Sequence, residues 1–187
     1  MQVESLDART LSQADARAIA ELLVRVWPES PKTVEIRLQQ MLDMGRDYHG
    51  SDEQAPRSFL LREKGRVIAH SAIITRTIGT SQGELTIAGL ARVGTDPDQR
   101  ERGLGVLVVR PVFDLVDQGA FAFSLFQTAP EVRPFYEKLG AEVIDNPIVN
   151  SLADDMHKSP FWDRVIMCYP RGPGWPVGEI DLRGPGY

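Results

Sequence analysis

The sequence predicts a mixed α+β fold, and three features of its 187 residues support that class. The segment from Leu11 to Trp27 carries apolar residues at helical spacing and has Ser12 in the position of an N-cap. From Ser58 to Gly79 the pattern changes to two strand-like runs, which the turn Glu63 to Arg66 joins as a hairpin. Segments typical of strands and of helices then alternate toward the C-terminus.

Further elements follow along the chain. A second helix is predicted within "SPKTVEIRLQQMLDMG", with Pro31 in its first turn and Gly45 closing it. Glu84 to Thr95 is a third strand, so the first three strands form an antiparallel meander. "AFAFSLFQ" alternates like a strand, "EVRPFYEKLG" is typical of a short helix that ends at Gly140, and "DRVIMCYP" is a late strand.

The residues alone leave "LGVLVVRPVFDLVDQG" open between strand and helix, because valines favour strands and Pro111 disrupts a helix. The Gly/Pro-rich tail contains Trp175, Ile180 and Tyr187, which are costly to leave in water. We therefore expect a single domain over residues 1–187, with residues 151–187 as a C-terminal extension packed on it.

Composition limits the function. The chain is 42% hydrophobic and 25% charged, and no apolar run approaches the length of a membrane span. Its polar, acidic start lacks the pattern of a secretory signal, so we expect a cytoplasmic location. Cys168 is the only cysteine and His49, His70 and His157 are scattered, so we expect no metal. The net charge of -5 argues against nucleic acid and favours a cationic small molecule or peptide as partner.

The stretch "VGTDPDQRERGLGVLVV" crowds arginines and glycines between two apolar runs. One interpretation is a tight turn, in which Gly103 and Gly105 permit positive φ and the charged residues are solvated. The other is an anion site, in which the glycines let backbone N–H groups at a helix start approach a negative group. A dinucleotide fingerprint is excluded because Val108 occupies the place of its third glycine, and a P-loop lacks its Gly-Lys-Ser/Thr.

"DPDQRERGLGVLVV" resembles the acyl-CoA pyrophosphate loop of the GCN5-related N-acetyltransferases (the GNAT superfamily), with its Arg/Gln-x-x-Gly-x-Gly/Ala pattern at Arg100, Gly103 and Gly105. "RPFYEKLGAEV" is similar to the superfamily's second motif, which follows the fifth strand. The resemblance covers about residues 11–145. It implies a central, mostly antiparallel twisted sheet of six to seven strands flanked by about four helices, with a helix after Gly103. The tail "WPVGEIDLRGPGY" is similar to the ends of nodulation N-acyltransferases and aminoglycoside 2'-N-acetyltransferases.

The resemblance implies acetyl transfer from acetyl-CoA, as co-substrate and without a metal, to a primary amine of a small cationic molecule such as an aminosugar or polyamine. The alternatives are a protein or peptide amine, and a non-catalytic acyl-CoA-binding module. Several acidic residues either attract such a cation or are solvated: Glu35, Asp43, Asp47, Asp154 and Asp155. Exposed edge strands are compatible with a homodimer.

The same resemblance implies the cofactor contacts. Backbone groups of Val93, Gly94 and Thr95 bind the pantetheine arm, and Val93 lies near the thioester carbonyl as an oxyanion donor. Arg100 belongs to the pyrophosphate loop, together with backbone N–H groups of the following six residues: Glu101, Arg102, Gly103, Leu104, Gly105 and Val106.

The resemblance also suggests catalytic residues. Tyr136 is the acid that protonates the leaving thiolate, or else an aromatic that covers the cofactor. The base stays open among a water chain and four groups: Glu84, His70, Asp181 and the carboxylate of Tyr187. His70 lies in an apolar run, where a core histidine is commoner than a catalytic one. Ala129 stands where the superfamily often has an asparagine that contacts the cofactor.

Overall fold

The structure is a computed structural model that describes residues 1–187. It confirms the predicted mixed α+β class, with four α-helices and a mostly antiparallel sheet. The helices are α1 (Gln13–Val26), α2 (Val34–Asp43), α3 (Leu104–Asp117) and α4 (Arg133–Lys138). None of them combines the length and the apolar composition needed to cross a bilayer.

Nine strands form the sheet. They are β1 (Glu4–Asp7), β2 (Arg57–Glu63), β3 (Arg66–Thr80), β4 (Gly83–Thr95), β5 (Ser124–Thr128), β6 (Glu142–Val143), β7 (Ile148–Val149), β8 (Val165–Tyr169) and β9 (Ile180–Asp181). Three of them, β6, β7 and β9, have only two residues each. The other six have four residues or more, and five of them, β2, β3, β4, β5 and β8, lie in segments that the sequence predicts as strands.

The chain forms two compact units. The first comprises Met1–Ile74 and Ala91–Val112, and the second comprises Thr75–Leu90 and Phe113–Tyr187. The strands β3 and β4 and the helix α3 each contribute residues to both units.

In the first unit, β1, β2, β3 and β4 are neighbours in that order. The helices α1 and α2 pack on this sheet through a buried apolar cluster, which includes Ile19, Leu23, Met41 and Leu60. As predicted, the Ser12 hydroxyl caps α1, accepting a hydrogen bond from the backbone N–H of Asp15 at 3.0 Å. The N-cap and the apolar face of α1 thus follow from its sequence pattern.

Two details of the first unit differ from the prediction. Pro31 lies before α2 rather than in its first turn, because Thr33 is the N-cap and accepts a hydrogen bond from the N–H of Ile36 at 3.3 Å. The strand β1 was not predicted. Its four residues pair antiparallel with β2, and so short a segment has too little periodicity to be recognised.

The open segment after Gly103 is a helix, as the resemblance implied, even though Pro111 lies inside it. Leu104 and Val108 are buried against Leu61 and Ile68 of the first unit, and their spacing of four residues suits one helical face. Burial of this face compensates for the backbone hydrogen bond that Pro111 cannot make.

In the second unit, β5 pairs parallel with β4 at Ala88 and Gly89 and antiparallel with β8. The strand β9 pairs with β3 and, in parallel, with β7. A buried cluster that includes Ile78, Ile87 and Leu125 forms the core, and Trp175 and Tyr187 of the tail pack against it. These contacts remove from water the large side chains that the sequence places in the tail.

Gly45 is expected to be intolerant of a side chain, because a Cβ there would lie 2.5 Å from backbone atoms of Ala8 and Arg9. Gly45→Ala should lower the free energy of unfolding by about 3 kcal/mol, measured by urea denaturation. Gly65→Ala is the comparison: it has open space and a φ of 78°, so strain alone should cost about 1 kcal/mol. Equal losses in the two variants would contradict the close packing at Gly45.

Candidate functional site

The loop between β4 and α3 is built from a short helical turn and two left-handed residues. The turn Pro97–Gln99 follows Asp96, whose carboxylate accepts a hydrogen bond from the N–H of Asp98 at 3.2 Å. Glu101 and Gly103 then adopt φ of 65° and 71°, and α3 begins at Leu104. The first N–H groups of a helix have no i−4 partner within it, so a loop of this kind can present donors to a ligand; here the N–H of Val106 already donates to the carbonyl of Gly103 at 3.2 Å.

Asp96 anchors this loop. Its carboxylate is 2% exposed and forms ion pairs with the guanidinium groups of Arg66, at 2.8 Å, and Arg25, at 3.2 Å. Its backbone N–H also donates to the carbonyl of Ile68 at 2.8 Å. One buried carboxylate therefore ties the loop to the end of α1 and to the start of β3.

Charge around the loop suits an anion. Arg100 is exposed, whereas Arg102 pairs with Glu63 at 3.2 Å. No acidic residue lies in the first turn of α3, so nothing opposes the positive end of the helix dipole. A Cβ at Gly103 would meet no atom within 4 Å, so the glycine is required by its positive φ and the space beside it is open.

The C-terminal end of β4 contains a backbone kink at Arg92, whose φ of 52° is left-handed. His70 holds this kink, because its Nδ1 lies 2.9 Å from the carbonyl oxygen of Arg92. A carbonyl oxygen only accepts, so Nδ1 carries the proton and Nε2 accepts from the hydroxyl of Ser58 at 3.1 Å. Both ring nitrogens are engaged and the side chain is fully buried, so His70 is a core histidine rather than a base.

The kink at Arg92 comes directly before Val93, Gly94 and Thr95. The pairing of β4 with β5 is limited to Ala88 and Gly89, so the later residues of β4 have backbone groups left for another partner. A Cβ at Gly94 would lie 3.1 Å from the side chain of Val26, so this glycine allows α1 to pack closely on β4.

Tyr136 belongs to the second unit and lies in α4. Its ring centroid is 4.6 Å from that of Phe126 and 4.8 Å from that of Phe135. Burial raises the pKa of the Tyr136 hydroxyl above its ordinary value of 10.0, so the group keeps its proton at neutral pH. Ala129 follows β5, and its carbonyl oxygen accepts hydrogen bonds from the backbone N–H groups of Val132 and Arg133.

Two of the base candidates in the second unit, Glu84 and Asp181, share Arg183 of the C-terminal tail. Arg183 pairs with Glu84 at 2.6 Å and with Asp181 at 3.7 Å. Burial alone would raise the pKa of Asp181, but hydrogen bonds from Ser151 and Arg183 outweigh it and hold the pKa below its ordinary value. Asp181 is therefore a weak base. Glu84 is exposed and uses only one carboxylate oxygen, Oε1, in its ion pair.

Tyr187 is held on several sides. Its hydroxyl donates to the carbonyl of Leu125 at 2.9 Å, and its backbone oxygen accepts from Nε2 of Gln127 at 2.9 Å. The guanidinium of Arg76 lies over its ring at 5.3 Å from the centroid. The terminal residue thus serves as an anchor of the tail.

Sequence reasoning missed two functional features of the first unit. The role of Asp96 as a buried anchor was hidden in an ordinary Asp-Pro turn signal. The second feature is a group of cations at Lys32, Arg37 and Arg92. A signal for it existed, because Arg37 lies at helical spacing from Val34 and Met41 on the apolar face of α2.

Comparison with known proteins agrees with this geometry. The sequence profile of the acetyltransferase (GNAT) domain matches residues 7–144. The fold is similar to Escherichia coli ElaA, with TM-score 0.60 and 15% identity over 89% of this chain and 97% of that one. It is also similar to glucosamine-6-phosphate N-acetyltransferase from Arabidopsis thaliana, with TM-score 0.56 and 18% identity over 75% of this chain and 91% of that one.

A third similar structure is a GCN5-related N-acetyltransferase from Kribbella flavida, with TM-score 0.56 and 19% identity. The match covers 76% of this chain but only 33% of the other, so the chain spans about a third of that protein's length.

The burial of His70 predicts a pH dependence of stability. Burial lowers its pKa from 6.5 to about 4, so protonation below pH 6.5 favours the unfolded state. The stability contributed by the neutral imidazole is present above pH 6.5 and is lost as the pH falls toward 4. Between pH 7.5 and pH 5 the free energy of unfolding should fall by about 2 kcal/mol from this group.

The measurement is urea denaturation at both pH values, for the natural protein and for His70→Asn. The variant is expected to be less stable throughout, but its change between the two pH values should be smaller by about 2 kcal/mol. The exposed His49 provides the control, because His49→Asn should keep the full change. An identical pH response in all three proteins would contradict a neutral, buried His70.

Proposed function

Because the chain belongs to the GNAT acetyltransferase family, we propose that it transfers an acetyl group from acetyl-CoA to a primary amine of a small molecule. The observation that carries this proposal is the loop before α3, where Gly103 has a φ of 71° and open space beside the start of the helix. Such a loop is suited to a pyrophosphate, the most highly charged part of the cofactor's central region.

The cofactor would lie along the end of β4 and the start of α3. The backbone of Val93, Gly94 and Thr95, beyond the residues of β4 that pair with β5, would bind the pantetheine arm as an added strand does. The N–H groups of residues 101–106 would hold the pyrophosphate, with Arg100 adding positive charge. The anchoring of this loop by Asp96 supports the proposal, since a preformed loop loses little entropy when it binds.

Acetyl-CoA supplies an activated acetyl group, and the residues of the chain lower the barrier to its transfer. The amine nitrogen forms a bond to the carbonyl carbon while the carbon–sulfur bond breaks. The N–H of Val93 would stabilise the negative charge that develops on the carbonyl oxygen. The kink at Arg92 supports this role, because it changes the direction of the backbone next to Val93.

Two proton transfers complete the reaction. The amine, with a pKa near 10.4 if it resembles lysine, must lose a proton before it attacks, and the thiolate must gain one. Tyr136 would donate to the thiolate, which is consistent with a hydroxyl that burial keeps protonated. Glu84, with one carboxylate oxygen outside its ion pair, or a chain of water molecules would accept the proton of the amine.

Aminosugars and polyamines are the acceptor classes that the sequence favoured, and a protein or peptide amine is the alternative within the same chemistry. The Arabidopsis relative acts, by its name, on an aminosugar phosphate. A non-catalytic acyl-CoA-binding module is the second candidate, and the alanine at position 129 favours it, because the superfamily's asparagine is missing there. Turnover of any amine separates these two functions.

A pair of variants at Gly103 tests the cofactor loop. Asp and Asn both tolerate a positive φ, and the open space admits either side chain. Gly103→Asp places a negative charge at the proposed pyrophosphate site, so acetyl-CoA should bind about tenfold or more weakly in calorimetry. Gly103→Asn, which is nearly isosteric and neutral, should bind within about threefold of the natural protein. Equal affinity of the two variants would show that the pyrophosphate binds elsewhere.

Tyr136→Phe tests the acid. If the hydroxyl protonates the thiolate, kcat should fall by about 10²-fold in a thiol-release assay, with the Kd for acetyl-CoA nearly unchanged. Phe135→Leu, in the same helix, is the control for loss of aromatic packing and should retain most of kcat. An unchanged kcat in Tyr136→Phe would assign the tyrosine to packing alone.

A further inference from the structure

Arg37 is a buried cation without a carboxylate partner. The residue is only 6% exposed, and its Nε is buried without any hydrogen-bond partner. Its guanidinium lies over the ring of Trp27, 5.2 Å from the centroid. This contact covers one face of the guanidinium, while its Nε–H has no acceptor.

Arg92 is a second cation that lacks a carboxylate partner. It is partly buried, and its Nη1 donates only to the sulfur of Met44 at 3.5 Å, which is a weak acceptor. Burial and the charge of Arg37 lower the pKa of Arg92 to about 10. The pKa of Lys32 is lowered by partial burial and by the charges of Arg37 and Arg92. Met44 is the C-cap of α2 and lies seven residues after Arg37, on the same side of the helix, so this contact places Arg92 beside the face of α2 that carries Arg37.

Three other arginines of the first unit pair with carboxylates, whereas Arg57, like Arg37, has a buried Nε without a partner and donates through Nη2 to the carbonyl of Asp52 at 2.8 Å. Arg25 and Arg66 share the carboxylate of Asp96. Arg62 pairs with both Glu4 and Asp15. Buried charges are usually paired, because an unpaired one has lost its hydration without compensation. Arg37 and Arg92 have no such carboxylate partner.

We propose that Arg37 and Arg92, with Lys32 beside them, bind a carboxylate or phosphate group of the acceptor, so that the acceptor is a small amine that also carries a negative charge. This inference rests on the proposed acetyl transfer. It is supported by position, because Arg92 directly precedes Val93, the residue proposed to contact the thioester.

The acceptor inferred here differs from the cationic one that the sequence favoured. Two of the acidic residues behind that expectation are neutralised by ion pairs on the surface. Glu35 pairs with Arg17 at 3.7 Å, and Asp43 pairs with Arg46. Fixed positive charges near the acceptor also favour the unprotonated amine, which is the form that attacks. Polyamines lack the negative group and are excluded by the proposal.

The anion site is tested first without acetyl-CoA, in the full chain carrying Gly103→Asp to block the cofactor loop. Tm is measured in sodium phosphate, sodium acetate and sodium chloride at equal ionic strength. At least one of the first two anions should raise Tm by about 2 °C or more relative to chloride. Adding Arg37→Met or Arg92→Met should abolish the rise, whereas the surface variant Arg17→Met should keep it.

The Tm in chloride alone, without phosphate or acetate, gives a second test that distinguishes an anion-binding arginine from a structural one. Arg37→Met keeps an apolar contact with Trp27 and removes a buried, unpaired charge, so its Tm in chloride should be higher than that of the natural residue. A lower Tm in chloride together with an undiminished anion effect would overturn the proposal, as would the absence of any shift from phosphate and acetate.

Turnover then separates the two anions and tests the acceptor class. The probes are matched amines, ethanolamine with phosphoethanolamine and propylamine with β-alanine, assayed by thiol release with acetyl-CoA and the otherwise natural chain. We expect one anionic amine to exceed its neutral partner at least tenfold in kcat/KM, and Arg37→Met to bring that ratio close to one. Equal kcat/KM within both pairs would overturn the acceptor class.

The two proposals fail in different ways. Tm shifts that depend on Arg37, without thiol release from any amine, would reject acetyl transfer and leave the anion site in place. Thiol release from neutral and anionic amines alike, with no anion-dependent Tm shift, would support acetyl transfer and reject the anion site.

Discussion

The hydrogen bond from Nδ1 of His70 to the carbonyl oxygen of Arg92 is the interaction on which the candidate site most depends. It holds a non-glycine residue in the left-handed region, which costs about 1 kcal/mol or more when nothing compensates for it. Ser58 completes the arrangement by donating to Nε2 and fixing the tautomer. The kink therefore persists because a buried network in the core specifies it.

The kink at Arg92 is shared by the proposed cofactor site and the proposed anion site. On one side it precedes Val93 to Thr95, the backbone proposed to bind the cofactor. On the other it belongs to Arg92, whose side chain joins the group of cations with Arg37. Asp96 supplies the corresponding constraint for the loop, since two arginines from different elements share its carboxylate. The proposed cofactor and acceptor sites thus both depend on buried polar groups of the first unit.

Much of the fold was predictable because local signals agree with the final packing. The cap at Ser12, the hairpin turn and the glycine stop at Gly140 all lie where the sequence indicated them. The helix after Gly103 was not predictable from propensity, because valines and Pro111 argue against it and only the buried face at Leu104 and Val108 explains it.

The site was less predictable, since its main features are tertiary. Nothing in the sequence around Arg92 requires a positive φ, which is imposed by the distant His70. Arg37 did carry a signal, as a charge on the apolar face of α2, but its lack of a partner became evident only with the neighbouring elements in place. Long-range pairing decides such features, and local patterns do not encode it.

The central claim is that the end of β4 and the loop before α3 hold acetyl-CoA through their backbone. The most direct measurement is a titration of the ¹⁵N-labelled protein with a non-reactive thioether analogue of acetyl-CoA, followed by the chemical shifts of the amide groups. The account predicts the largest changes at Val93, Thr95 and residues 101–106. Changes confined to other parts of the chain, or no change at saturating analogue, would contradict it.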